Sequence, residues 1–270
     1  MDKEQFGFLT IAQNNSTTDY LNLAYIQAQN IKATQKNNKY AVIVDADTYK
    51  HVTKQHRTVF DYVIQLPSDH ARDEQWKMSN EWQVFSLSPF KETIKLESDM
   101  LFTRDIGHWV SALRLKDICF SLHCRDYQGN VKVETPYRKQ FTDNLLPDIY
   151  TGMYYFRYSQ TSFEFFKLAT CIYKNWHQVT SALTQVEEIS TDVAMAVAVN
   201  IFGRDQCTIP TLDFFNFVHM KSGIQGWSDT QPWTDYVNVE QDHNMLRINN
   251  VNQYQPVHYY DKRFNQIITS

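Results

Sequence analysis

Phe6-Gly7-Phe8-Leu9-Thr10-Ile11-Ala12, followed by the polar cluster Gln13-Asn14-Asn15-Ser16-Thr17-Thr18-Asp19, is the stretch on which the reading of this chain turns. A short apolar run that stops at hydrogen-bonding residues reads as a buried strand ending in a loop. Leu21, Ala24, Tyr25, Ala28 and Ile31 then recur at helical spacing through Lys36, so the opening is strand, loop, helix. The alternation continues outward. Tyr40–Val44 forms a second strand ending in Asp45-Ala46-Asp47, Tyr49–Arg57 is expected as a helix, and Asp61–Leu66 is a third strand. Strands alternating with helices predict an α/β fold, with a mostly parallel, mixed central sheet flanked by helices. Ligands in such sheets bind beyond the carboxyl ends of the strands.

Further along, Thr93–Leu96 is a strand running into Glu97-Ser98-Asp99, and Asp117–Leu122 is another. Residues 125–142 are polar and expected as a loop or extended arm. Ile149–Tyr158 is strand-like, Phe163–Trp176 is an amphipathic helix, and Thr191–Phe202 is a strongly apolar helix capped by Thr191 or Ser190. The part after Gly203 is expected to be irregular.

The composition narrows the function classes. A chain of 270 residues suits one core, and 16 Tyr with 17 Phe imply rings left over for ligands. There is neither G-x-G-x-x-G nor G-x-x-x-x-G-K-[ST] in the sequence, which removes a Rossmann fingerprint and a P-loop. Cys119, Cys124, Cys171 and Cys207 show no C-x-x-C spacing and read as reduced thiols of a cytoplasmic protein. The formal net charge of −4 repels phosphate, so a nucleic-acid partner needs a local basic patch. No apolar run approaches the length of a membrane span, so no membrane partner is expected.

Two acidic pairs at strand ends are candidate metal ligands. Glu97 and Asp99 flank Ser98 where a buried strand ends, and neighbouring carboxylates there repel unless a hard divalent cation bridges them to a diphosphate. The other reading is a solvated strand terminus. Asp45 and Asp47 have the same form, and spacing does not choose between the pairs. His219 follows an apolar run and is either a hydrogen-bonded core residue or the imidazole that completes an octahedral site. Beyond it, Lys221, Ser222 and Gly223 are candidate phosphate contacts, glycine letting backbone N–H groups approach closely.

In order and spacing these segments resemble the glycogenin-type glycosyltransferases of the GT-A fold. The resemblance is carried by Thr10-Ile11-Ala12-Gln13-Asn14 with Tyr20, Val59-Phe60-Asp61-Tyr62-Val63, Glu97-Ser98-Asp99 after Ser86-Leu87-Ser88, Tyr150-Thr151-Gly152, Asp192-Val193, and His219 with Trp227 eight positions later. It covers roughly residues 6 to 230 and implies a GT-A domain over 1–230 with a C-terminal extension, 231–270, packed on it. In texture the chain is also similar to glycosyltransferases of T-even-type bacteriophages, through Asp19-Tyr20-Leu21, Ala24-Tyr25 and Ile94–Met100. That group includes enzymes acting on 5-hydroxymethylcytosine in phage DNA. Glu97 stands where the family has its first Asp, Gln225-Gly226 where it has Lys-Pro, Tyr150 for Asn, and Val193 for Gln.

The resemblance implies a retaining, metal-dependent transferase using a UDP-sugar such as UDP-arabinose or UDP-glucose. Ala12, Gln13, Asn14 and Tyr20 would hold uridine. Asp99, Glu97 and His219 would hold Mn²⁺ or Mg²⁺, with Ser98, Lys221 and Gly223 beside the phosphates. Asp192 and Asp148 would be the catalytic carboxylates, with Thr151, Gly152 and Trp227 on the sugar and acceptor side. Asp192 also reads simply as a helix-start carboxylate. A DNA acceptor carrying a modified cytosine would present it by base extrusion, with Tyr154, Tyr155, Trp227 and Trp233 as stacking candidates and 125–139 as the phosphate-tracking stretch. The location expected is the cytoplasm, of an infected bacterial host if the chain is phage-encoded. A protein or glycan acceptor, a phosphoryl-transfer enzyme using the same acids, and a silent GT-A binding domain are the competing readings.

Overall fold

The computed structural model describes residues 3–36, 39–131, 136–184, 186, 189–209, 215–220, 224, 232–242, 245–261 and 264. Six strands make the main sheet: β1 (Glu4–Ile11), β2 (Lys39–Val44), β3 (Tyr62–Gln65), β4 (Phe90–Leu96), and, further along the chain, β6 (Ile118–Leu122) and β7 (Ile149–Arg157). The short β5 (Met100–Leu101) lies between β4 and β6 in sequence but belongs elsewhere. The spatial order is β3-β2-β1-β4-β7-β6, with the first three pairings parallel and the two involving β7 antiparallel.

Consecutive residues of β1 and β2 are buried because both faces of the sheet are covered. Phe8, Val42 and Ile94 pack under helix α1 (Tyr20–Thr34), whereas Leu9, Ala41 and Ile43 face the opposite layer. Helix α1 starts where the Asp19 carboxylate accepts the Asn22 N–H, and it buries Leu21, Ala24, Ala28 and Ile31 on one stripe. Gly7 is required by close approach: a Cβ there would lie 2.3 Å from the Phe90 ring.

The expected helix at 49–57 is two shorter ones, α2 (Ala46–Tyr49) and α3 (Lys54–Val59). Asp45 caps α2 and Thr53 forms a capping box on α3, and these competing N-caps divide the segment. A 3₁₀ turn (Met78–Gln83) and α4 (Val84–Leu87) lead into β4, and α5 (Gly107–Leu113) buries Trp109. The expected arm at 125–142 is corrected by α6 (Pro136–Asp143), whose Arg138 and Phe141, three apart, both turn inward. Proline suits the first helical position, and a buried arginine made the segment look polar. Then α7 (Gln160–Lys174), α8 (Trp176–Thr180), α9 (Thr191–Phe202) and α10 (Arg204–Cys207) follow, with Ser190 as the α9 cap.

The region after Gly203 is not irregular throughout. It contains β8 (Val218–His219), a meander of β9 (Val239–Asp242), β10 (Met245–Ile248) and β11 (Val251–Gln253), and β12 (Val257–His258). Strand β12 lies between β5 and β8, antiparallel to the first and parallel to the second, so His258 pairs with Met100 on one side and His219 on the other. A third apolar cluster containing Trp233, Leu246, Tyr259 and Phe264 joins this region to Leu23 of α1. No helix among the described residues is long and apolar enough to cross a membrane.

Candidate active site

The carboxyl ends of β1 and β4 open onto a cavity of about 720 Å³. Ile11, Gln13 and Tyr20 line it from the first strand end, Glu97, Ser98 and Asp99 from the second, and Asp192, His219, His258 and Tyr260 from the later chain.

The acidic turn is held rigidly. The Glu97 N–H donates to Gly152 O at 2.9 Å, the Tyr259 N–H donates to Asp99 O at 3.1 Å, and buried Gln27 of α1 donates to Glu97 O (2.6 Å) and Met100 O (3.0 Å). Gln27 is itself held by the Tyr40 hydroxyl at 2.7 Å. His258 Nε2 lies 3.1 Å from Glu97 Oε2 and 3.1 Å from Asp99 Oδ1. One ligand atom from each of Glu97, Asp99 and His258 falls within 4.8 Å of the others. Burial pushes the Glu97 carboxyl above its ordinary range, with Asp99 and Asp192 adding to the rise and His258 and Lys95 opposing it. Two carboxylate oxygens and one imidazole nitrogen converging in a cavity wall are a donor set that could hold a divalent cation.

His219 stands next to this cluster, its ring centroid 4.8 Å from that of His258 and 5.7 Å from Tyr150. The imidazole touching both acids comes from residue 258, which the sequence reading did not single out. Its signal was faint: a lone His in Gln255-Pro256-Val257-His258, brought into place only by strand pairing.

The other acidic pair serves the fold. Asp45 accepts the Thr48 N–H at 2.6 Å as a helix cap and the Gln13 amide at 3.0 Å, while exposed Asp47 pairs with Lys50. Asn80 donates to Gln13 Oε1 at 2.9 Å, so the Gln13 amide is oriented from both ends. Asn14 accepts the Leu21 N–H and Ala12 donates to Ile43 O, and neither lines the cavity.

Asp192, which also lines the cavity, is held by four donors. Oδ1 accepts from the Thr151 N–H and hydroxyl, both at 2.7 Å, and Oδ2 from Tyr137 at 3.2 Å and Arg138 at 3.3 Å. Arg138, only 2 % exposed, also pairs with Asp148 at 3.0 Å, and Asp148 does not line the cavity. Gly152 lines it, and a Cβ there would meet the Phe217 ring at 3.0 Å and Glu97 Oε2 at 3.5 Å.

Lys221, Gly223 and Trp227 lie outside the described residues. Three of the stacking candidates are corrected: Tyr154, Tyr155 and Trp233 are core residues with no accessible ring face. Burial of Arg138 likewise removes it from any phosphate-tracking stretch.

A mixed sheet in this order, with β7 reversed and helices on both faces, is an α/β architecture of the GT-A type. Solved structures agree. Mouse xyloside xylosyltransferase 1 in its apo form is similar at a TM-score of 0.57 and 8 % identity, over 95 % of this chain and 98 % of that one. The bifunctional glycosyltransferase WbbM is similar at 0.54 and 10 % identity, over 97 % of this chain but 46 % of the longer protein. No family model and no curated protein sequence matches.

Proposed function

We propose that this chain is a metal-dependent glycosyltransferase that moves a sugar from a UDP-sugar to an acceptor hydroxyl. The observation that carries the reading is the convergence of Glu97, Asp99 and His258 at the carboxyl end of β4, inside the cavity that Gln13 and Tyr20 share. Glu97, Asp99 and His258 would hold the cation, with His219 beside them. When bound, a divalent cation supplies neutralisation of the charge that develops on a departing nucleoside diphosphate.

The chain's own residues do the rest. Gln13 and Tyr20 flank the uridine side, and the buried Gln27 keeps the acidic turn from relaxing. Asp192, fastened by Thr151, Tyr137 and Arg138, presents a fixed negative charge to the sugar side, where positive character develops at the anomeric carbon. Exposed Trp76 and Tyr137 line the cavity and offer ring faces to an acceptor.

For the acceptor, the resemblance to phage glycosyltransferases favours 5-hydroxymethylcytosine in DNA, and UDP-arabinose or UDP-glucose as donor. Burial of Tyr154, Tyr155 and Arg138 weakens the DNA surface expected from the sequence, and favours a protein or glycan acceptor as the second reading. The test is release of UDP from UDP-glucose, UDP-xylose and UDP-arabinose with Mn²⁺, against hydroxymethylated DNA, unmodified DNA and oligosaccharides. Asp99→Ala is expected to reduce metal-dependent release at least about 100-fold, since it removes a buried carboxylate ligand. A donor-independent cut in DNA would instead mark a nuclease, and no release from any donor a binding domain.

A further inference from the structure

Beside Glu97, Asp99 and His258 the cavity wall contains a second charged group that the proposed chemistry leaves unused. Lys95 of β4 and Glu81 of the 3₁₀ turn form an ion pair at 2.7 Å, with side chains only 4 % and 7 % exposed. Glu81 Oε1 also accepts from the Tyr154 hydroxyl at 2.7 Å, and Lys95 donates a second hydrogen bond to Thr151 O at 3.3 Å. Both residues line the cavity. Lys95 and Tyr154 are register partners across β4 and β7, so a lysine occupies the middle of the main sheet, where its neighbours Ile94 and Leu96 are core residues.

Such a pair is a poor device for stability. Desolvating two charges costs roughly what their attraction returns, and a pair of apolar side chains of equal volume would hold a core as well. What the pair does supply is a fixed acceptor beside a fixed donor. Glu81 Oε1 is saturated by Lys95 and Tyr154, whereas Oε2 takes no hydrogen bond among the described residues. An ammonium has three N–H donors, and two are engaged by Glu81 and Thr151. A carboxylate oxygen and an ammonium N–H side by side match one hydroxyl that donates and a neighbouring one that accepts.

We propose that Glu81 and Lys95 form the specificity subsite for the transferred sugar, reading two adjacent hydroxyls of its ring. This rests on the donor-sugar reading above and assigns the part of the cavity that selects among donors. Lys95 stands on β4 two residues before Glu97 and bonds the carbonyl of Thr151, whose N–H and hydroxyl hold Asp192, so the pair shares the cavity wall with both.

The test compares the wild-type chain with E81Q and E81Q/K95M, the double substitution avoiding a buried unpaired charge. Mn²⁺-dependent UDP release is measured with UDP-glucose, UDP-xylose and UDP-arabinose, then with 2-, 3- and 4-deoxy forms of the best donor. Melting temperature and UDP affinity establish that each variant is folded and binds nucleotide. The wild type is expected to lose about 100-fold in kcat/KM when one of the two hydroxyls is missing, because a buried charged partner is then left unmade. In the double variant that ratio should fall below about 5-fold while UDP affinity is unchanged. A folded variant that keeps the wild-type ratio overturns the subsite alone. If the wild type releases UDP from no donor, the donor reading falls and the subsite with it.

Discussion

At the scale of single residues, the site depends on side chains that never face the cavity. Gln27 is the clearest. Its amide supplies two donors to the turn that carries Glu97 and Met100, and its carbonyl oxygen accepts from Tyr40. Replacing it by leucine strands two carbonyls and a hydroxyl in the interior, a loss of at least about 3 kcal/mol, since unmade buried partners cost ~1–3 kcal/mol each. The same change should weaken Mn²⁺ binding about 10- to 100-fold, the usual effect of removing an outer support from a metal site. Electron paramagnetic resonance of Mn²⁺ on the folded variant checks this, and unchanged affinity would reduce Gln27 to a packing residue. Gly7 acts through the absence of a side chain. An alanine Cβ would overlap the Phe90 ring, so Gly7→Ala is expected to cost about 1–3 kcal/mol in denaturant unfolding.

At the scale of elements, Asp61, the residue before β3, ties α1 to β2. Its carboxylate accepts the Tyr40 N–H at 2.9 Å and pairs with Lys32 of α1 at 3.0 Å and Lys39 of β2 at 3.2 Å. Burial alone would raise its pKa, but these donors outweigh burial and hold it below the ordinary carboxylate value. A folded-state pKa below the unfolded one contributes stability that is present above the unfolded pKa and is lost as pH falls through the folded one. Asp61→Asn should therefore melt below the wild type at pH 7, and the gap should narrow towards pH 3. A gap that does not change with pH would mean the aspartate acts through shape rather than charge.

The strands of the main sheet were legible because apolar runs ending in polar loops are a local property. The α6 helix was not, because Arg138 looks like a solvent-facing residue until Asp148 and Asp192 are seen around it. Nor were β8 and β12, only two residues each, which have no periodicity to read and exist only through pairing, β12 with β5 and β8 with β12.

At the scale of the whole molecule, the layers enclose three of the four cysteines. Burial pushes the Cys119 and Cys207 thiols up to about 12 and Cys124 well above its ordinary value, whereas Cys171 is exposed. Titration with a thiol reagent at neutral pH should find one reactive group in the native chain and four after denaturation. More than one in the native chain would mean that the layers open readily.

The sequence by itself determined the α/β alternation and the position of the Glu97/Asp99 turn, because hydrophobic period and strand-end chemistry are written in consecutive residues. Tertiary structure alone decided which acidic pair faces a cavity, which imidazole touches it, and that Lys95 and Glu81, fourteen positions apart, meet in its wall. Those outcomes follow from sheet order and from the seating of β12 between β5 and β8, and pairing between distant segments leaves no local trace in the chain.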